Sequence, residues 1–357
     1  MLEVSRCPEC NVPEPISQSQ EWLNNGDIVQ RLNPEARLGF IECENLDPLF
    51  RTMGEIIGIS IEPMIVNITA RGLELYMRSL VPQEARDMIV AKQLDPGSFS
   101  DSILTLCHVS GFGKYETIGY RYERDEDDYG KYHITKPFSV PLAAGAMAGA
   151  SSSLVGGQHE ITYRELSPGL YEFKTTWTEY PEELMERFET VPYNHRDGDV
   201  ELERCSACGL PRAFTNYRWE LEEGLIVNEH TGRRMVLLSP GIQDVLFDEL
   251  EKELGDTIPK VVVEAQRRFT KTGFYSIEQV SDEGDFRTQL ALRGLGNLQE
   301  IKMGSAGVFM RIDNAAGYLM TVGMVQGLFE MAFDVESNVE WALSDAGNLD
   351  VEITPKA

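Results

Sequence analysis

The chain is short of positive charge: 32 Lys and Arg stand against 58 Asp and Glu over 357 residues, a formal net charge of −26. A surface with that field repels phosphate backbones and anionic headgroups, so no nucleic-acid partner is expected. Long apolar runs are also lacking. The longest, Val140 to Val155, is broken by Gly145, Gly149 and the serines at 151 to 153, and is too short to span a bilayer, so no membrane span is expected. Met1 to Pro15 holds Cys, Pro and Glu where a secretory leader needs a basic start and an apolar stretch, which makes a cytoplasmic location the expectation. Six cysteines are too few to scaffold a chain of this length by disulfides. No Gly-rich phosphate loop, nucleophile elbow or metal-hydrolase helix motif occurs, and no catalytic residue is assigned. What remains is globular in composition, 42% hydrophobic and 25% charged, at a length that suits two modules.

Four of the cysteines fall in two close pairs, and the pairs expose a repeat. Arg6-Cys-Pro-Glu-Cys-Asn-Val-Pro13 and Arg204-Cys-Ser-Ala-Cys-Gly-Leu-Pro211 agree at Arg, both Cys and Pro, at an offset of 198 residues. Gly26, Ile28 and Val29 meet Gly224, Ile226 and Val227 at the same offset, and Trp22 meets Trp219 after a one-residue slip. Leu49, Phe50, Gly58, Ile61 and Arg71 then meet Leu246, Phe247, Gly255, Ile258 and Arg268 at an offset of 197. Tyr132 to Thr176 finally lies without gaps on Met310 to Thr354 at an offset of 178. Four collinear blocks are the signature of duplication. The expected organisation is a first module over 1–180, a linker over 181–203 and a second module over 204–357.

Each module can be read once and checked on its copy. Alternating apolar residues around Gly26 to Val29 and Gly224 to Val227 predict a hairpin. Leu246, Leu250 and Leu254 recur at helical spacing up to Gly255, and a second helix should begin near Pro63 and Pro259. A further helix is expected over about 141–155 and 319–333, then a closing pair of strands. This is an α+β fold, two tandem modules each with an antiparallel sheet packed on helices, expected to form a pseudodimer. Gly145 and Gly149, repeated as Gly323 and Gly327, each cost about 1 kcal/mol inside a helix unless something packs closely there; the sheet, the twin helix of the other module or a ligand would qualify. The acidic stretch Arg121 to Gly130, which the second copy lacks, reads as a solvated hairpin tip.

A Cys-x-x-Cys knuckle lets two thiolates converge on one ion, and the residue after the second Cys commonly adopts a left-handed backbone. Here it is Asn11 or Gly209, the residue types that adopt it most easily. One knuckle supplies half of a tetrahedral shell, so two imply one structural zinc site made by Cys7, Cys10, Cys205 and Cys208. An iron site is open on spacing alone, and a thioredoxin-like redox pair lacks its strand-to-helix context. Cys43 and Cys107 have no counterparts and read as buried small hydrophobes.

The run Gly224-Leu-Ile-Val-Asn, Gly232 to Leu238, Leu246 to Gly255 and Glu264-Ala-Gln-Arg267 resembles the V4R (4-vinyl reductase) domain, as do Gly111-Phe-Gly113 and Ala144 to Gly149 in the first copy. The resemblance implies a fold like that of trafficking-complex subunits, dimerisation and an apolar pocket for a hydrophobic small molecule. Family members that bind zinc do so near the end of the domain, where Thr162 to Tyr171 and Glu340 to Leu349 hold no Cys; the knuckles look like a separate, added site.

Two functional classes follow. The first is a non-catalytic sensor or carrier of a hydrophobic or aromatic molecule, with His108, Phe112, Tyr132 and Phe138 as pocket candidates in one copy and Phe309 and Trp341 in the other. The second is an accessory or assembly subunit that docks a larger enzyme complex, or a reductase helper.

Overall fold

The computed structural model describes residues 4–178, 196–275 and 283–356. The first repeat runs α1 (Glu14–Ser19), β1 (Gln20–Trp22), β2 (Ile28–Gln30), β3 (Asn33–Glu42), α2 (Cys43–Ile57), α3 (Glu62–Leu80), α4 (Gln83–Val90) and α5 (Ser100–Val109). It continues with β4 (Lys114–Arg121), β5 (Tyr129–Thr135), α6 (Val140–Val155), β6 (Gln158–Ser167) and β7 (Leu170–Thr178). The second repeat supplies β8 (Tyr217–Glu220), β9 (Leu225–Asn228), β10 (Arg234–Leu238), α7 (Pro240–Leu254), α8 (Ile258–Phe269) and α9 (Glu283–Leu292). It closes with β11 (Asn297–Gly304), β12 (Gly307–Asp313), α10 (Tyr318–Phe333), β13 (Ser337–Leu343) and β14 (Leu349–Pro355). The fold is α+β, with antiparallel sheets packed on helices. The helices expected from Pro63, Pro141, Pro259 and Gly255 are present, and each of those prolines falls in a first turn, where its missing amide has no helical acceptor to lose.

The chain divides into two compact units, and each draws on both repeats. The first unit joins Ser60–Glu189 to Arg218–Val236; the second joins Val4–Ile59, Thr190–Tyr217 and Leu237–Ala357. In spatial terms each repeat has given its N-terminal hairpin to the other repeat's body. The exchange is reciprocal atom by atom. In the second unit Trp22 donates its indole N–H to Leu292 O at 2.9 Å, and Gly294 lies against Leu38 O and Ile28. In the first unit Trp219 donates to Val109 O at 3.2 Å, and Gly111 lies against Met235 O and Ile226. Arg37 donates to Asn314 O, and its counterpart Arg234 to Lys136 O. Gly113 N–H donates to Gly224 O while Gly296 N–H donates to Gly26 O. At Gly111, Gly224 and Gly294 the backbone has positive φ and a neighbouring carbonyl stands within 2.5 Å of where a Cβ would be, so only glycine fits.

The first unit carries a sheet of order β4-β5-β7-β6, the second one of order β11-β12-β14-β13. Their registers are superposable: Tyr132 pairs with Phe173 as Met310 pairs with Val351. Against each sheet lies one apolar helix, α6 or α10, and its glycines touch the long helix of the same repeat. A Cβ on Gly145 would stand 2.5 Å from Val66 O, and one on Gly149 2.3 Å from Ala70 O; Gly323 meets Val263 O at 2.4 Å. The close neighbour is therefore α3 or α8, and neither the sheet nor the twin helix as expected from sequence. Small residues on α6 let two backbones approach, and that contact offsets the propensity cost.

In the second unit an ion pair is wholly enclosed, with Arg37 and Asp27 joined at 2.6 Å and side chains 1% and 0% exposed. Leu225 stands at the Asp27 position of the other repeat. Of the expected linker, residues 181–195 lie outside the described set, and the remainder is docked into the second unit: Val200 N–H donates to Asn24 O, and Asp199 pairs with Arg287.

Candidate functional site

Both knuckles belong to the second unit. They fold identically. Cys7 N–H donates to Val12 O and Asn11 N–H to Cys7 O, matched by Cys205 to Leu210 and Gly209 to Cys205, at 2.7 to 3.0 Å. Asn11 (φ 59°) and Gly209 (φ 78°) take the left-handed conformation expected of them. An isolated bridge closes the base of each knuckle, Arg6 to Pro13 and Arg204 to Pro211.

The turns bring four sulfurs together. Cys7 and Cys205 Sγ lie 3.6 Å apart, Cys10 and Cys208 Sγ 3.4 Å apart, and all four lie within 4.8 Å of one another. A tetrahedral zinc–thiolate shell with bonds of about 2.3 Å has sulfur–sulfur edges of about 3.8 Å, inside the observed spread. The donor set thus fits a soft or borderline cation. Cys7, Cys10 and Cys205 are buried and Cys208 is partly exposed. Burial alone would raise the Cys7 thiol, but amide hydrogen bonds from Cys10 and Glu9 outweigh it and bring it to about 7. Burial holds the Cys10 and Cys208 thiols above the usual range, against amide hydrogen bonds from Val12 and Leu210 respectively. Such amides are the outer shell that orients thiolate ligands. Glu9 ties the knuckles across the site, accepting from Ser206 Oγ at 2.6 Å and lying 3.5 Å from Cys205 Sγ. Behind the second knuckle, Phe214 packs on Trp22, Phe40 and Tyr217 with ring centroids 4.9 to 5.3 Å apart.

The first unit holds two cavities. One, of about 130 Å³, lies between α5, α6 and the sheet and is bordered by Tyr115, Tyr122, Tyr132, Met147, Leu154 and His159, among others. The inserted segment forms part of its wall through Arg121, Asp128 and Tyr129. That segment is a hairpin tip, as expected, but an internally braced one: Asp128 accepts from Arg121 and from the amides of Glu123 and Arg124. The other cavity, of about 280 Å³, opens between α3, α6 and β6 and is bordered by Glu62, Arg71, Glu74, Ser152, His159 and Tyr163, with Glu160 at its rim.

Of the pocket candidates read from sequence, Tyr132 borders the first cavity, with its hydroxyl raised by burial and held by Ser151 and Thr175. Phe112 and Phe138 stack on each other, centroids 4.7 Å apart. His108 Nε2 accepts the Tyr115 amide at 3.2 Å, and burial lowers its proton affinity. Phe309 on β12 lies beneath the Arg311 guanidinium, and Trp341 sits on β13 opposite Val351. Of the four candidates in the first copy, Tyr132 alone borders either of these two cavities. The histidine that borders both cavities is His159, which sequence reading passed over; burial drives it down from 6.5 to about 4, so it is neutral. Cys43 is buried; Cys107 borders the first cavity, with its thiol pushed up to about 12 by burial.

No helix among the described residues is long and apolar enough to cross a membrane. No protein-family profile matches the chain, and no curated protein matches it. Among solved structures it is similar to H-NOX domains. A Cs H-NOX carrying 4-cyano-L-phenylalanine aligns at TM-score 0.25 and 18% identity over 34% of this chain and 75% of that one. An isoleucine-to-phenylalanine mutant of the T. Tengcongensis H-NOX gives 0.24 and 17% over 34% and 75%. An oxygen-binding H-NOX domain related to soluble guanylate cyclases gives 0.21 and 15% over 33% and 71%. These scores lie below what a shared fold produces.

Proposed function

We propose that the chain is a non-catalytic binding protein, a sensor or carrier for a hydrophobic or aromatic small molecule, stapled by a structural zinc at Cys7, Cys10, Cys205 and Cys208. The observation that carries this reading is the tyrosine-walled cavity of the first unit. At about 130 Å³ it approaches the engineered apolar cavities of ~150 Å³ that take up benzene. Its lining is mainly aromatic and aliphatic with a few convergent polar groups, the pattern of a small-molecule site. The V4R resemblance supports the same reading, since that family encloses an apolar pocket.

The zinc belongs to the reading because four sulfurs from two knuckles converge within 4.8 Å of one another, the arrangement a shared tetrahedral ion requires. Coordination deprotonates them and joins residues 7–10 to 205–208. The test is native mass spectrometry with elemental analysis of the purified chain, followed by calorimetric titration with toluene and with 2-phenylethanol. About one zinc per chain and saturable uptake of a single ring, abolished by Tyr132→Trp, are expected. A chain that binds neither compound and releases no apolar molecule on extraction overturns the ligand-binding reading.

A further inference from the structure

Duplication provides an internal control for the second cavity. In the second unit the corner between α8, α10 and β13 is closed by side chains. Glu330, 3% exposed, accepts from Arg267 Nη1 at 2.5 Å, Lys271 Nζ at 2.7 Å and Ser337 Oγ at 2.9 Å. The matching positions in the first unit are Ala70, Glu74, Ser152 and His159, by the offsets that the Gly149 and Gly327 contacts and the sheet registers reproduce. Both cations are gone, the α6 carboxylate has become a serine, and a buried carboxylate has appeared on α3. The result is the 280 Å³ cavity.

Its lining has three carboxylates, Glu62, Glu74 and Glu160, and one guanidinium, Arg71. Glu74 is 2% exposed, pairs with Arg78 at 2.5 Å and accepts from the Gln158 side chain, and its two carboxylate oxygens keep lone pairs for a further donor. His159 forms the wall shared with the tyrosine-lined cavity. Ser152 Oγ donates to Ala148 O and accepts the His159 amide, both at 3.0 Å, so the 3.4 Å contact to Nδ1 has the imidazole donating. Nε2 then carries the lone pair, an acceptor suited to an N–H donor.

We propose that this cavity binds the ammonium group of a small aryl- or alkylamine whose apolar end enters the tyrosine-lined cavity past His159. The ligand's cation takes up, on the opposite helix, the role that Arg267 and Lys271 play in the second unit. This rests on the reading of the first cavity as a ligand pocket and adds the charge of the ligand to it.

The test uses the full chain as purified, titrated with 2-phenylethylamine, 2-phenylethanol and phenylacetate at pH 7. The amine should bind at least about tenfold more tightly than the alcohol, and the acid should bind most weakly. Glu74→Gln should bring the amine to the affinity of the alcohol and leave the alcohol unchanged. Ala70→Arg with Ser152→Glu, which rebuilds the closed corner, should remove amine binding while the circular dichroism spectrum is retained. Amine and alcohol binding alike, or an amine affinity that neither variant changes, overturns the proposal and leaves the pocket reading standing. Failure of all three probes and of toluene overturns both.

Discussion

In the second unit a carboxylate on the glycine-bearing helix is buried against two cations, Arg267 on the neighbouring helix and Lys271 just beyond its end; in the first, the same corner lacks those cations and holds a cavity. The second unit also holds the buried Arg37–Asp27 pair and both cysteine knuckles, while the two cavities described above lie in the first. The two units thus differ, one holding closed polar networks and a cluster of four cysteine sulfurs, the other two cavities. A buried polar group that is fully satisfied fixes one packing, whereas a hollow one sacrifices packing energy for a ligand.

That contrast can be broken, and the largest effect should come from the knuckles. Cys7→Ser should release the metal and cost on the order of 5 kcal/mol, less than the ~10 or more of isolated zinc fingers because the aromatic cluster remains. Hydrogen exchange should show the loss in α8, α10 and β11 to β14 while α3 and α6 keep their protection; equal loss in both units would erase the distinction. Next, Asp27→Ala strands the Arg37 charge in the interior and should cost about 3–5 kcal/mol by urea denaturation, with Leu225→Ala in the other repeat serving as an apolar control.

The third prediction concerns pH. His159 has a folded value of about 4 against an ordinary 6.5, so the unfolded chain takes up a proton first as pH falls. Its contribution is complete above pH 6.5 and is lost on the way down to pH 4, by at most about 3 kcal/mol. Ser337 holds the matching place in the second unit and does not titrate. Stability of His159→Gln, measured across that window, should match wild type above pH 6.5 and exceed it increasingly toward pH 4, because Gln has no proton to take up in the buried site. The smallest effect separates the helices: Gly149→Ala should destabilise by about 1–3 kcal/mol because its Cβ meets backbone at 2.3 Å. Gly327→Ala, whose nearest neighbour is the Thr270 Cβ at 2.7 Å, should cost less.

Much of this was legible in the sequence, for reasons specific to residue type. Cysteine pairs, left-handed glycines and first-turn prolines are tied to position, so they revealed the repeat, the knuckles and the long helices. The hairpin exchange was not legible, because the alternation around Gly26 to Val29 is the same whichever repeat supplies the partner. Gly111 and Gly113 were visible, but what approaches them is a contact between distant segments. Which aromatics border a cavity was not legible for a related reason: residues such as Phe112 and Phe138 satisfy one another as readily as they line a void, while Tyr132 does border one. A signal for His159 did exist in the substitution of the Glu330 and Ser337 pair by Ser152 and His159 at a constant offset. Buried polar positions that change between internal copies mark where the copies have parted in use.

The exchanged hairpin also sets a timetable for biosynthesis. Trp22 and the carbonyl it binds are 270 residues apart, so the N-terminal segment leaves the ribosome long before its partner exists. At the usual ~5–20 residues per second that interval is roughly 15 to 50 s, during which Trp22, Phe40 and the edge of β3 have no native surface to cover them. Expression yield should therefore respond to translation rate and chaperone supply more strongly than the stability of the finished protein would suggest.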